Sequence, residues 1–71
     1  MNGNELLKKL RKLSRKRGLS LRVVNERGKG SHVTVWLGDR RTTLKDRKKE
    51  IGVGLFNDLL KQLGLNRSDL K

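Results

Sequence analysis

The side chains with the most chemical promise sit at Gly30-Ser31-His32. His32 is the only histidine in a chain of 71 residues that carries 19 Lys and Arg against 7 Asp and Glu. Imidazole exchanges protons near neutral pH. With a net charge of +12, the expected partner is a polyanion, and a proton-exchanging group on such a surface raises cutting alongside holding. RNA brings its own nucleophile, the 2′-hydroxyl beside each phosphate. A positioned imidazole takes that proton, or hands one to the departing 5′-oxygen, without metal or cofactor. Lys29 is the nearest cation in sequence, and the amides of Gly30 and Ser31 point at a phosphate if the turn forms an anion-binding nest. Ser31 has no serine-hydrolase pattern around it and reads as a contact to phosphate or to His32. One histidine is half of an acid–base pair, so lysine or water must supply the other half. A plain surface histidine on a non-catalytic RNA-binding module, or on a nucleoid- or ribosome-associated structural protein, is the alternative.

Other cations extend the expected footprint. Lys45, Arg47, Lys48 and Lys49 precede Gly52-Val53-Gly54, where a helix is expected to start. Amides at a helix N-terminus accept phosphate, and Gly54 permits close approach; the alternative is that the glycines only make a bend. Lys8 and Lys12 stand at i and i+4 on one helical face, a like-charge spacing that favours an anion between them. Arg40 and Arg41 flank a hairpin and either widen the anion site or are simply solvated. Trp36 stacks on an unpaired base or anchors a protein interface. One tryptophan without aromatic neighbours makes a poor base platform, which favours the interface.

Composition narrows the remaining classes. There is no cysteine, which excludes disulfides and thiolate metal sites. One histidine among scattered carboxylates argues against structural zinc. Met1 to Leu7 contains no long apolar run, so neither a secretory signal nor a membrane span is expected, and a cytoplasmic protein is. An acidic protein would satisfy the charge as well as nucleic acid does.

These residues need elements to hold them. Leu6, Leu7, Leu10, Leu13 and Ser14 recur at helical spacing within residues 3 to 17, with Asn2 and Glu5 as a capping box and Gly18 as the stop. Leu19, Leu21 and Val23 then alternate with Ser20, Arg22 and Val24 as a strand. Gly28-Lys29-Gly30 reads as a turn. Over residues 31 to 37, Val33, Val35 and Leu37 form one face and His32, Thr34 and Trp36 the other. Gly38-Asp39 is a two-residue hairpin turn into a third strand at Arg40 to Leu44. After a charged connection over 45 to 52, Val53, Leu55, Phe56, Leu59, Leu60 and Leu63 form one stripe of a helix over about 53 to 63, with Asn57, Asp58, Lys61 and Gln62 facing away and Gly64 ending it. Residues 66 to 71 make a short turn or fray. The expected architecture is one α+β domain, α-β-β-β-α, with both helices on one face of a three-stranded antiparallel sheet. That leaves the His32, Thr34 and Trp36 face open, provided strand parity holds.

Gly30-Ser31-His32, taken with Lys48-Lys49-Glu50-Ile51-Gly52-Val53-Gly54-Leu55 and Leu59-Leu60-Lys61-Gln62-Leu63-Gly64-Leu65, resembles the HicA family of toxins, over Asn4 to Leu65. The resemblance implies a double-stranded-RNA-binding-like fold and a metal-independent mRNA interferase. It implies His32 as the catalytic residue, Gly30 and Ser31 as its lead-in, and Gly54-Leu55 as the start of the second helix. It further implies a HicB-like antitoxin that binds the toxin and covers the histidine region. Three departures stand out: Val33 where many members carry a second histidine, no hydroxyl residue between Gly54 and Leu55, and no proline around the third strand.

Overall fold

The computed structural model describes residues 1–25 and 32–70. Helix α1 spans Gly3–Arg17, and its start is fixed by reciprocal bonds. The Glu5 amide donates to Asn2 Oδ1 at 2.9 Å and the Asn2 amide donates to Glu5 Oε1 at 3.1 Å, the capping box expected from the sequence. Its end is a Schellman motif: Gly18, at φ 65°, donates to the Arg15 carbonyl and Leu19 donates to the Ser14 carbonyl. That second bond corrects the strand boundary. Leu19 is spent on closing the helix and is 41% exposed, so β1 runs only over Leu21–Asn25.

Strands β2 (Val33–Leu37) and β3 (Arg40–Leu44) complete an antiparallel sheet of order β1-β2-β3. Gly38, at φ 62°, takes the first position of the two-residue turn between them, where a residue with Cβ is strained. This loop fixes the register: Val33 pairs with Leu44, Val35 with Thr42, Trp36 with Arg41. On the other side Leu21 pairs with Leu37, Val23 with Val35 and Arg22 with Trp36.

Helix α2 spans Val53–Gln62, and a 3-10 turn follows at Arg67–Leu70, taking up the short segment expected after residue 65. Both helices pack on the face that carries Val33, Val35, Leu37 and Leu44. Leu6, Leu10, Leu59, Leu60 and Leu63 interleave there in one cluster, with Leu21, Val23 and Phe56 at its edge. Parity therefore holds, and Thr34 and Trp36 lie on the face away from the helices, partly buried by their neighbours.

The α2 stripe is narrower than its spacing implies. Val53 is 67% and Leu55 53% exposed. They occupy opposite margins of the apolar arc in the first turn, so neither is buried in the core. Gln62, expected to face away, instead accepts a hydrogen bond from Thr42 Oγ1. Thr42 is buried on the helix-covered face, where its hydroxyl would otherwise lose water without replacement.

Candidate functional site

His32 precedes β2 by one residue and is half-buried. Carrying the β2–β3 register one step beyond Val33–Leu44 sets His32 opposite Lys45, which is exposed. Lys29, Gly30 and Ser31 lie outside the described residues.

After Lys45 the chain makes a tight turn. Asp46 adopts φ 26°, its carbonyl accepts from the Lys49 amide at 3.1 Å, and its Oδ1 accepts from the Lys48 amide at 3.2 Å. The side chains of Lys48 and Lys49 are left in solvent. The start of α1 holds this connection in place: Asn4 donates to the Arg47 carbonyl, Ile51 donates to the Met1 carbonyl, and Asn2 bridges to Glu50. Packing here is close enough to require glycine. A Cβ on Gly3 would come within 2.9 Å of the Arg47 Cα.

The connection delivers the chain to α2. Among the described residues no side chain caps that helix, and its first turn holds no acidic residue. A Cβ on Gly52 or Gly54 would meet no described atom within 4 Å. The fold itself therefore does not demand glycine at either position, and the first-turn amides stay approachable from solvent.

From α2 a groove of about 610 Å³ leads around the β3 edge to the open sheet face, lined by Leu55, Asp58 and Gln62 on one side and Thr34, Arg41 and Thr43 on the other. One end lies beside Gly54 in sequence, and the other lies two residues from His32 on the same strand face. Of the site residues expected from the sequence, the groove brings in Arg41; Gly54 and His32 do not line it.

Trp36 sits in the middle of the open face. Arg41 lies 5.4 Å and Arg22 5.9 Å from its ring centroid, each supplied by the register partner on a flanking strand. Cations stacked on an indole are held by its ring quadrupole and by shared desolvation. Whatever approaches this indole from the open face also meets the two guanidinium groups. Arg22 escaped the sequence reading. It shares parity with Trp36, but pairing the two requires the β1–β2 register, and the chain between those strands does not dictate its own length of pairing.

Lys8 and Lys12 belong to a different surface. They project from α1 on the helix layer, with the sheet between them and Trp36, and line a second groove with Lys9, Lys16 and the 3-10 turn. That turn is tied down at Asp69, which accepts from the Asn66 amide at 2.8 Å and from the Arg17 guanidinium at 2.5 Å. The backbone donor first and Arg17 second hold the Asp69 carboxyl below its usual range.

Among the described residues no group of three or more His, Cys, Asp and Glu side chains is arranged to hold a metal, and no helix is long and apolar enough to cross a membrane. No curated protein and no solved structure matches the chain. The model of the family described as the HicA toxin of bacterial toxin–antitoxin systems matches residues 3–65, which takes in both helices, all three strands and His32. A small basic α-β-β-β-α domain matched from the first turn of α1 to the residue after Gly64 belongs to the HicA family, the toxin half of a toxin–antitoxin pair.

Proposed function

We propose that the toxin is a metal-independent endoribonuclease that cuts mRNA through general acid–base chemistry at His32. The imidazole takes the proton of a ribose 2′-hydroxyl, and the 2′-oxygen forms a bond to the adjacent phosphorus. The bond from phosphorus to the 5′-oxygen breaks, and a proton delivered to that oxygen completes the transfer. The products are a 2′,3′-cyclic phosphate and a 5′-hydroxyl, with no water consumed. Lys45, Lys49 and Arg41 stabilise the charge gathering on the phosphoryl oxygens, and the Gly54 amide is a further donor at the helix start. Lys29, Gly30 and Ser31 complete the phosphate contact from the lead-in to His32.

The observation that supports this reading is the half-buried position of the only histidine, one residue before β2, where the β2–β3 register carried one step further sets it opposite Lys45. A HicB-like antitoxin is the inhibitor. It covers the histidine end of the sheet and takes Trp36 as a buried anchor, its acidic groups meeting Arg22 and Arg41.

Incubating wild type and His32→Ala with a defined single-stranded RNA in chelator, then reading the end groups, tests the chemistry. Wild type is expected to leave cyclic phosphate ends while the variant binds without cutting. Undiminished cleavage by the variant removes His32 from the mechanism. Binding without cleavage by both proteins makes the chain a non-catalytic RNA-binding module.

A further inference from the structure

The lysine-lined groove on the helix layer has no task in the cleavage chemistry. It measures about 790 Å³ and is lined by Lys8, Lys9, Lys12 and Lys16 on α1, with Leu13 and Leu70 along it and Asp69 at the 3-10 turn. We infer that this groove is an RNA-holding site separate from the histidine end of the sheet, one that grips the phosphate backbone of a single strand without reading its sequence. The inference deepens the ribonuclease reading but concerns binding alone.

Three observations carry it. First, Lys8, Lys12 and Lys16 succeed one another at i, i+4 and i+8, so their stems rise along the helix by about 6 Å per step. That interval is close to the separation of consecutive phosphates along a nucleic-acid strand. Second, these charges have no ion-pair partner among the described residues. The ion pairs among the described residues are Met1 with Glu50 and Arg17 with Asp69, and neither involves a lysine of the groove. The two carboxylates that line the groove are engaged elsewhere: Glu5 accepts from the Asn2 amide, and Asp69 holds Arg17 and Asn66. Like charges at i and i+4 destabilise a helix until an anion lies between them. Third, the groove is a built concavity with an apolar strip beneath its cationic rim. Its second wall, the turn at Arg67–Leu70, is pinned by Arg17–Asp69 and by Arg67 Nε donating to Asn57 at 3.0 Å. That wall lies beyond the segment matched by the family model, whereas the lysines lie within it.

Lysine suits the role. It is a flexible point charge that follows a backbone of variable shape, whereas paired carboxylates on a protein favour the planar fork of arginine. The groove lies on the helix layer, while Trp36 and Arg41 lie on the open sheet face, so one RNA that meets both must wrap around the domain or two segments must bind together.

The test uses a 20-nucleotide 2′-O-methyl strand, which lacks the attacking hydroxyl, so its binding is measured whether or not the protein cuts RNA. The variant Lys8→Gln/Lys12→Gln/Lys16→Gln keeps good helix formers at exposed sites and is compared with Arg11→Gln/Arg15→Gln/Lys61→Gln, which removes the same charge elsewhere. The groove variant is expected to bind roughly tenfold or more weakly, with the slope of log K against log salt reduced by about 2. The control variant should lose less than about threefold. Equal losses in the two variants, or none in either, overturn the inference. So does displacement of the strand from the groove by polyglutamate at equal charge concentration, which assigns the surface to an acidic protein. A Tm for the groove variant at or above that of wild type excludes misfolding as the cause. Loss of binding in the groove variant beside a wild type that never cuts RNA leaves the groove standing and removes the ribonuclease reading alone.

Discussion

The open sheet face and the α1 groove both present cations, yet they differ in how far their charges are already committed. On the sheet, Arg22 and Arg41 are stacked on Trp36, and Thr42 is bonded to Gln62 beneath the groove wall. On α1, four lysines line a groove and enter no ion pair among the described residues. Arginines held by an aromatic ring have little orientational freedom left to lose, which suits a partner of fixed shape. Free ammonium groups on long stems suit a partner of variable shape. A net charge of +12 thus divides into surfaces with different selectivity, a division that summing charge along the sequence conceals.

The largest expected effect separates chemistry from holding. His32→Ala should lower the rate of RNA cleavage by about 10²- to 10⁴-fold, measured as single-turnover kinetics on labelled RNA. Its affinity for the 2′-O-methyl strand should stay within about threefold, because the lysine groove is untouched. If affinity collapses in step with the rate, the two surfaces are one.

Next in size is the indole. Trp36→Ala should weaken binding of the proposed HicB-like antitoxin by about 2 kcal/mol or more, as expected when a central aromatic anchor is removed. Calorimetric titration reads this directly. Affinity for the RNA strand should not move, and a loss there would transfer Trp36 from the inhibitor to the RNA.

Gln62→Ala probes what supports the sheet-edge groove. It leaves the buried Thr42 hydroxyl without its partner, at a cost of about 1–3 kcal/mol in a denaturant titration. The double variant Gln62→Ala/Thr42→Val removes the orphaned hydroxyl and should recover part of that loss.

The smallest effect concerns the far wall of the lysine groove. The folded Asp69 carboxyl titrates below its ordinary value of 3.8, so the ionised form is the one the fold favours. Its contribution is complete above 3.8 and is lost as pH falls through the lowered folded value. Amide exchange at Arg67 to Leu70 should therefore accelerate in that acid window while the β2 amides stay protected. Asp69→Asn should remove the pH dependence. Acceleration common to both sets of amides would mean that the turn does not open independently.

Much of the scaffold was legible because it rests on local rules. Asn2, Glu5 and Gly18 bound α1 through bonds made within a few residues, and Gly38-Asp39 sets the β2–β3 register through the length of its loop. Failures came where a residue serves something distant. Leu19 alternates like a strand residue but closes the helix before it. Val53 and Leu55 carry the right period, yet they stay exposed in the first turn of α2. Gln62 reads as a solvent residue, and only the α2–β3 packing gives it the Thr42 hydroxyl. The candidate site divided in the same way. Parity correctly put Thr34 and Trp36 on the open face, whereas Arg22 beside Trp36, and the separation of Lys8 and Lys12 from the sheet, emerge only from the packed layers.

The single tryptophan has a practical consequence. Its emission comes from one known place, between two guanidinium groups on the face opposite the lysine groove. Intensity and wavelength therefore report what happens at that face without any attached dye. A ligand confined to α1 should leave the spectrum nearly still, while a protein that seals the sheet should shift it toward the blue. One cuvette titration can thus tell which side of the molecule is being touched.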